Sequence, residues 1–246
     1  MVGKIVPDWY NVLMPSNWNK GLTKENNNSV RKISETMKKK SIDNFHVWRE
    51  KMKKEGKIKS VYFSLKKNGD LAELIGVTLG DGHLCLYPRT EELRIISNSK
   101  NTGFIERYAC LLEKVFKKKP YVINSKLSNS TKIGLYEKNI SKRIQIPTGA
   151  RKNLMIMVPD WILRDKKYIV RYLRGLYEAE GSFNVHSPTY TYKFSFSNSN
   201  ESMLNNVFDL MKIIGFNPHK SKNQIQISKK EEVYKAIKTL KFRDYK

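Results

Sequence analysis

The chain has 246 residues, with 47 Lys and Arg against 23 Asp and Glu, a net charge of +24. So positive a field calls for a phosphate-bearing partner, nucleic acid above all. It leaves little room for other classes. The longest wholly apolar runs, such as residues 154–158, are too short to cross a bilayer. Two cysteines cannot form a disulfide framework, and no CxxC or His/Cys cluster suggests zinc. The opening residues lack a secretory apolar core, so the expectation is a soluble protein of the cytoplasm or an organelle matrix, with no membrane span.

The first seventy residues are basic, sixteen Lys/Arg against seven Asp/Glu. Residues 15–23 are rich in turn formers and carry Trp18. Ser29 is expected to cap a helix over 30–40, with Val30, Ile33 and Met37 on one side. A second basic helix is expected over 42–57, with Ile42, Phe45, Trp48 and Met52 as its apolar stripe, then a linker over 57–70. Such a segment buries too little to fold alone and should dock on DNA or on the main body.

An apolar helix follows, ending Leu74-Ile75-Gly76-Val77-Thr78-Leu79-Gly80-Asp81-Gly82. Residues 94–101 end a period-2 pattern and turn into a helix marked by Phe104, Tyr108, Leu111, Leu112 and Phe116. Lys119-Pro120 stops it. Strands are expected over 121–126 and 131–136, and a helix over 138–144. The same order then returns. The second apolar helix ends Leu173-Arg174-Gly175-Leu176-Tyr177-Glu178-Ala179-Glu180-Gly181, ninety-nine residues after the first. The strand end at 194–201, the helix over 203–214, the stop at Asn217-Pro218, the strands 219–222 and 224–228 and the helix 229–240 complete the copy. Five elements in register, at offsets of 98 to 100 residues, amount to a duplication. The fold class is α+β: two pseudo-symmetric αββαββα repeats, their antiparallel sheets forming a saddle, with a small basic helical extension. The expected divisions are 1–65, 66–155 and 156–246.

Small residues four apart (Ala72, Gly76, Gly80; Gly175, Ala179) share one helix face and let a partner backbone approach closely. Gly82 and Gly181 read as left-handed caps, which puts Asp81 and Glu180 in the last turns of two helices that can pack together. Two carboxylates about 4 Å apart repel by roughly 4 kcal/mol at an intermediate dielectric, and two negative helix ends add to the cost. Either one carboxyl holds its proton or a divalent cation lies between them. Carboxylate and carbonyl oxygens suit a hard ion such as Mg²⁺.

These residues carry a resemblance. Gly-Leu-Tyr-Glu-Ala-Glu-Gly at 175–181 and Ile-Gly-Val-Thr-Leu-Gly-Asp-Gly at 75–82 resemble the two motifs of the LAGLIDADG homing endonucleases, with residues 71–246 covered and Leu79 replacing the first motif's first acid. The resemblance implies a monomer that cleaves both strands of double-stranded DNA at a long asymmetric site, leaving 3′ overhangs. It implies Mg²⁺ or Mn²⁺ held by Asp81 and Glu180 with the carbonyls of Gly80 and Ala179, and Ca²⁺ as a non-cleaving substitute. Asn98 and Asn198 fall at strand ends where polar side chains approach the attacking water. Lys138, Lys229 and Lys100 are candidates for a basic residue near the scissile phosphates. His83, whose counterpart is Ser182, reads as local packing. Residues 18–38 resemble the nuclease-associated modular DNA-binding motif, which implies DNA contacts by Trp18, Asn19, Lys20, Arg31, Lys32 and Lys38. On the sheets, Arg94, Lys126, Lys132, Lys193, Lys222, Gln224 and Gln226 can reach bases or phosphates. A group I intron maturase, which would bind its own intron RNA, and a non-cleaving DNA-binding regulator share the fold and are the alternatives.

Overall fold

A computed structural model describes residues 19–40, 42–43, 45–57, 61–125 and 127–245. Trp18 and Lys126, both expected to touch DNA, lie outside the described residues. The chain divides into two compact units, Met1–Val61 and Tyr62–Lys246.

The first unit holds two short helices, α1 (Asn28–Lys39) and α2 (His46–Lys54). The cap of α1 is Asn27, not Ser29: its Oδ1 accepts from the amides of Ser29 and Val30, at 2.9 and 3.1 Å. Asn and Ser cap about equally well, so local propensity could not choose between them. The second helix is shorter than the expected 42–57 span. Neither helix contains a buried residue, and Phe45, Val47 and Trp48 are exposed.

The second unit contains both repeats. The first comprises α3 (Gly69–Gly80), β1 (Gly82–Tyr87), β2 (Thr90–Asn98), α4 (Thr102–Phe116), β3 (Tyr121–Asn124), β4 (Ser130–Glu137) and α5 (Ile140–Ile144). A short helix α6 (Asp160–Leu163), which the periodicity does not announce, precedes the second copy. This is α7 (Lys166–Glu180), β5 (Gly181–His186), β6 (Thr191–Ser197), α8 (Glu201–Ile213), β7 (His219–Ser221), β8 (Gln224–Ile227) and α9 (Lys230–Leu240). The two four-stranded sheets have the same order, β1-β2-β4-β3 and β5-β6-β8-β7, and every pairing is antiparallel.

Alternation along the strands sends one set of side chains to the core and leaves the other open. Leu93 and Ile95 of β2 and Ile133 and Leu135 of β4 are buried, as are Phe194 and Phe196 of β6 and Ile225 and Ile227 of β8. Tyr177 of α7 stacks on Phe194 with ring centroids 4.6 Å apart. The opposite faces carry Arg94, Lys132, Lys193, Gln224 and Gln226, with Lys222 in the turn between β7 and β8. Among the described residues no helix is long and apolar enough to cross a membrane.

The repeats meet along α3 and α7, and glycine sets the spacing. A methyl group on Gly76 would stand 2.2 Å from the Tyr172 carbonyl oxygen. One on Gly175 would stand 2.2 Å from the Glu73 carbonyl oxygen and 2.6 Å from the Val77 nitrogen. The helices therefore touch backbone to backbone. Gly82 and Gly181 serve a different purpose from the expected left-handed cap. Gly181 has an extended backbone (φ −87°, ψ 151°), and Gly82 is not among the positive-φ glycines. Each strand leaves its helix at once and doubles back over the last turn. A side chain there would strike Thr78 in one copy and Tyr177 in the other, both closer than 2.5 Å.

Candidate active site

The close seam decides where the acids end up. Asn68 Oδ1 accepts from the Leu71 amide at 3.0 Å and starts α3; Asp165 Oδ1 accepts from the Lys167 amide at 2.8 Å and starts α7. Both helices then run to the same end of the seam, where a methyl group on Gly80 would lie 2.4 Å from Ala179 Cβ and 3.1 Å from Glu180 Cγ. Asp81 and Glu180 follow directly. Burial, then the neighbouring Glu180 charge, pushes the Asp81 carboxyl up to about 7. Burial likewise raises Glu180. The pair is strained electrostatically in the way that a bound cation relieves.

Does the site suit a divalent ion? Among the described residues no group of three or more His, Cys, Asp or Glu forms a protein cage. Mg²⁺ does not require one, since it keeps several waters and is held by one or two carboxylates together with substrate phosphate oxygens. Two desolvated carboxylates with helix-end carbonyls match that donor set.

A cavity of about 550 Å³ opens beside Asp81, lined also by Asn98, Asn129, Ser130, Arg243 and Tyr245. Asn98 is thus brought to the acid, although its Oδ1 is engaged by the Lys100 amide at 2.9 Å. Asn198 makes the same turn through the Asn200 amide at 2.8 Å and is not part of this cavity. Lys100 stays near the site by that turn and is exposed.

Two of the expected lysines are not brought in. Gly82 faces Ile95 and Glu91 faces Glu137, so Lys138 stands most of a strand's length from the acid, roughly 20 Å at 3.3 Å per residue. It lines the β1–β2 hairpin end instead. Lys229 lies two residues past Ile227, whose partner is Phe194, while Gly181 pairs with Phe196. It is therefore displaced away from Glu180. Both stand at the starts of the final helices, and strand direction carries those starts away from the seam. His83 is half-buried opposite Arg94, and burial first, then Arg94 and Arg151, lower its pKa. That fits packing.

Three groups beside the acids escaped sequence reasoning. Arg151, in the segment joining the repeats, donates from Nη2 to the carbonyls of Thr78 (2.9 Å) and Gly82 (2.6 Å), covering the negative end of α3 next to Asp81. Its segment is fastened by Asn200, whose Nδ2 donates to the carbonyls of Arg151 and Leu154, each at 2.8 Å. Nothing periodic surrounds Arg151, so the sequence held no signal for it. Glu178 accepts from the Arg243 amide at 2.7 Å and from the Tyr245 hydroxyl at 2.5 Å, and burial raises its pKa. It ties the chain's last residues over the Asp81 cavity. A signal did exist here: the second motif has an acid where the first has Leu79. Arg243 is the third, a cation lining the cavity that no repeat pattern marks.

A duplicated α/β fold with two acids at a glycine-packed helix seam defines a class. Residues 167–244 match the family model described as the LAGLIDADG-like domain. That match covers the second repeat, where the chain is similar to the LAGLIDADG family. Among solved structures the chain is similar to mesophilic variants of the homing endonuclease I-DmoI, at 17% identity and a TM-score of 0.50, over 70% of this chain and 94% of that one. A variant of I-DmoI in complex with its target DNA and in the presence of Mn gives 15% identity and a TM-score of 0.50, over 72% of this chain and 98% of that one. The N-terminal LAGLIDADG domain of DUF199/WhiA gives 19% and 0.49, over 70% and 80%. No curated protein matches the sequence.

Proposed function

We propose that the chain is a site-specific endonuclease of the homing type, hydrolysing both strands of a long asymmetric double-stranded DNA site as a monomer and leaving 3′ overhangs. The observation that carries this is the acid pair: Asp81, held at about 7 by burial and by Glu180, stands at the seam between two halves with unlike open faces. A protein that only binds nucleic acid, whether a regulator on DNA or a maturase on intron RNA, gains nothing from a repulsive pair beside phosphate. That I-DmoI has been seen with target DNA and Mn supports the same reading.

In this reading Asp81 and Glu180, with the carbonyls of Gly80 and Ala179, hold Mg²⁺ or Mn²⁺. When bound, such an ion lowers the pKa of water and neutralises charge on phosphate and leaving oxygens. The protein's own groups position the reaction. Asn98 and Asn198 border the water's approach, Lys100 and Arg243 face the backbone on the Asp81 side, and Arg151 fixes the turn that carries Asp81. Arg94, Lys132, Lys193, Lys222, Gln224 and Gln226 contact bases and phosphates. Asn19, Lys20, Arg31, Lys32 and Lys38 of the extension contact phosphates, and the limits 1–65, 66–155 and 156–246 separate the three parts. The deciding experiment is cleavage of DNA spanning the uninterrupted insertion site, with Mg²⁺ or with Ca²⁺, by the native chain and by Asp81→Asn and Glu180→Gln. Cutting by the native chain alone, with DNA binding kept by both variants, is the expected result. Undiminished cutting by both variants refutes it.

A further inference from the structure

A second cavity, about 490 Å³, has the opposite character. Arg107 of α4, Lys166, Lys167, Arg171 and Arg174 of α7 and Lys241 after α9 surround it, Val170 and Leu240 give it an apolar wall, and neither a carboxylate nor a strand residue lines it. The arginines have most of their charge answered behind the cavity wall: Glu73 lies 2.6 Å from Arg107, 2.7 Å from Arg171 and 3.7 Å from Arg174, Asp70 lies 2.7 Å from Arg171, and Glu178 lies 3.9 Å from Arg174, so the surplus rests on the lysines. Among the described residues Lys166, Lys167 and Lys241 have no acidic partner. Arg174 is 4% exposed, and its Nε has no hydrogen-bond partner. The amino-terminal end of α7, a 15-residue helix, adds its positive dipole end at Lys166. A neighbouring cavity makes the contrast. There Asp70 and Glu106 stand among Arg107, Lys114 and Arg171, and the charges nearly balance.

Like charges gathered around a concavity repel one another, so a surplus of cations there favours an anion inside it. We propose that this cavity binds a phosphate group carried on a nucleotide, with the phosphate on the cations and the sugar or base against Val170 and Leu240. Its size falls within the range of small-ligand sites, roughly 300–1,000 Å³. Lys166 and Glu180 are separated by most of α7, about 21 Å at 1.5 Å per residue, so this ligand does not meet the acid pair. The site therefore does not depend on whether the acids cut DNA.

The test is isothermal titration of the full chain with adenosine, inorganic phosphate, AMP and a 5′-phosphorylated pentanucleotide. The chain is compared with a Lys166→Glu/Lys167→Glu variant and with a Lys119→Glu/Lys142→Glu control at exposed lysines outside the cavity. Acids in the first turn of α7 suit its dipole, so the first variant keeps its fold. Phosphate-bearing probes should bind where adenosine does not, and should weaken by about tenfold or more in the helix variant alone, as loss of nearby charge requires. AMP binding identifies a free nucleotide as the source, and binding by the pentanucleotide alone identifies a strand end. Equal weakening in the Lys119/Lys142 control, or no preference for phosphate over adenosine, overturns the proposal.

Discussion

Replacing Gly175 or Gly76 by Ala sets two effects of opposite sign against each other. Alanine in place of glycine favours an isolated helix by about 0.5–1 kcal/mol. Against that, the new methyl would stand 2.2 Å from a carbonyl oxygen of the facing helix in either case. Relief requires the helices to part by roughly 1 Å, since carbon–oxygen contacts settle near 3.2 Å or more, and what blocks the way is backbone, which cannot change rotamer. Overpacking of this kind costs about 1–3 kcal/mol or more. The steric term wins, and each variant should be net destabilised by about 1–2 kcal/mol at least, lowering the melting midpoint of a unit this size by roughly 2–4 °C per kcal/mol. Gly69→Ala is the control: its methyl meets only the flexible Arg171 side chain, at 3.1 Å, and should be neutral or slightly stabilising. Urea and thermal unfolding of the three variants decide the matter. A Gly175→Ala protein as stable as the native one would refute the backbone-contact reasoning.

Asp81→Asn should stabilise the metal-free protein. The folded carboxyl titrates near 7 against an ordinary 3.8, so the folded state binds the extra proton between those values and stability falls as pH rises through that window. The gain above pH 7 is bounded by about 4 kcal/mol, and urea unfolding at pH 5 and pH 8 in EDTA checks the sign. Tyr245→Phe removes one hydrogen bond to the buried Glu178 and should cost about 1–2 kcal/mol, with proteolysis at the last residues faster than in the native chain. Arg151→Met leaves the carbonyls of Thr78 and Gly82 without their donor; a loss of about 1–3 kcal/mol is expected, read by thermal unfolding. Deleting residues 1–61 should shorten the DNA footprint on one side and flatten the salt dependence by close to one unit per lost phosphate contact, with cut positions unchanged.

The parts of this fold visible beforehand were those written twice. Gly76 with Gly80, and Gly175 with Ala179, announced a close helix seam because the four-residue spacing has one geometric meaning. Once the seam was known, Asp81 and Glu180 had to meet. The open-face positions of Arg94, Lys132 and Lys193 followed from period 2. What stayed hidden lies where no period operates. Arg151 acts through a segment without helix or strand, and Arg243 through residues beyond the last helix, so long-range contacts alone give them their places. Gly82 was recognised as necessary for the wrong reason: glycine is demanded there by the doubling back of β1, a tertiary fact. Lys138 and Lys229 stand away from the acids because strand direction, which the sequence pattern leaves open, decides which end of the sheet a helix start reaches.

The buried Glu73 has a bearing on which surfaces may meet. It lies on α3 at the seam and is held by Arg107 of α4 and by Arg171 and Arg174 of α7. Glu73 keeps Arg107 within its own repeat, but only the joining of unlike halves gives it Arg171 and Arg174. Were two copies to join through their α3 helices, Glu73 would approach Glu73 with Arg107 alone to answer each; through their α7 helices, guanidinium groups would approach each other. A buried charge stripped of most of its partners is costly. The charges along the seam thus favour each half's own covalent neighbour over a second copy of itself.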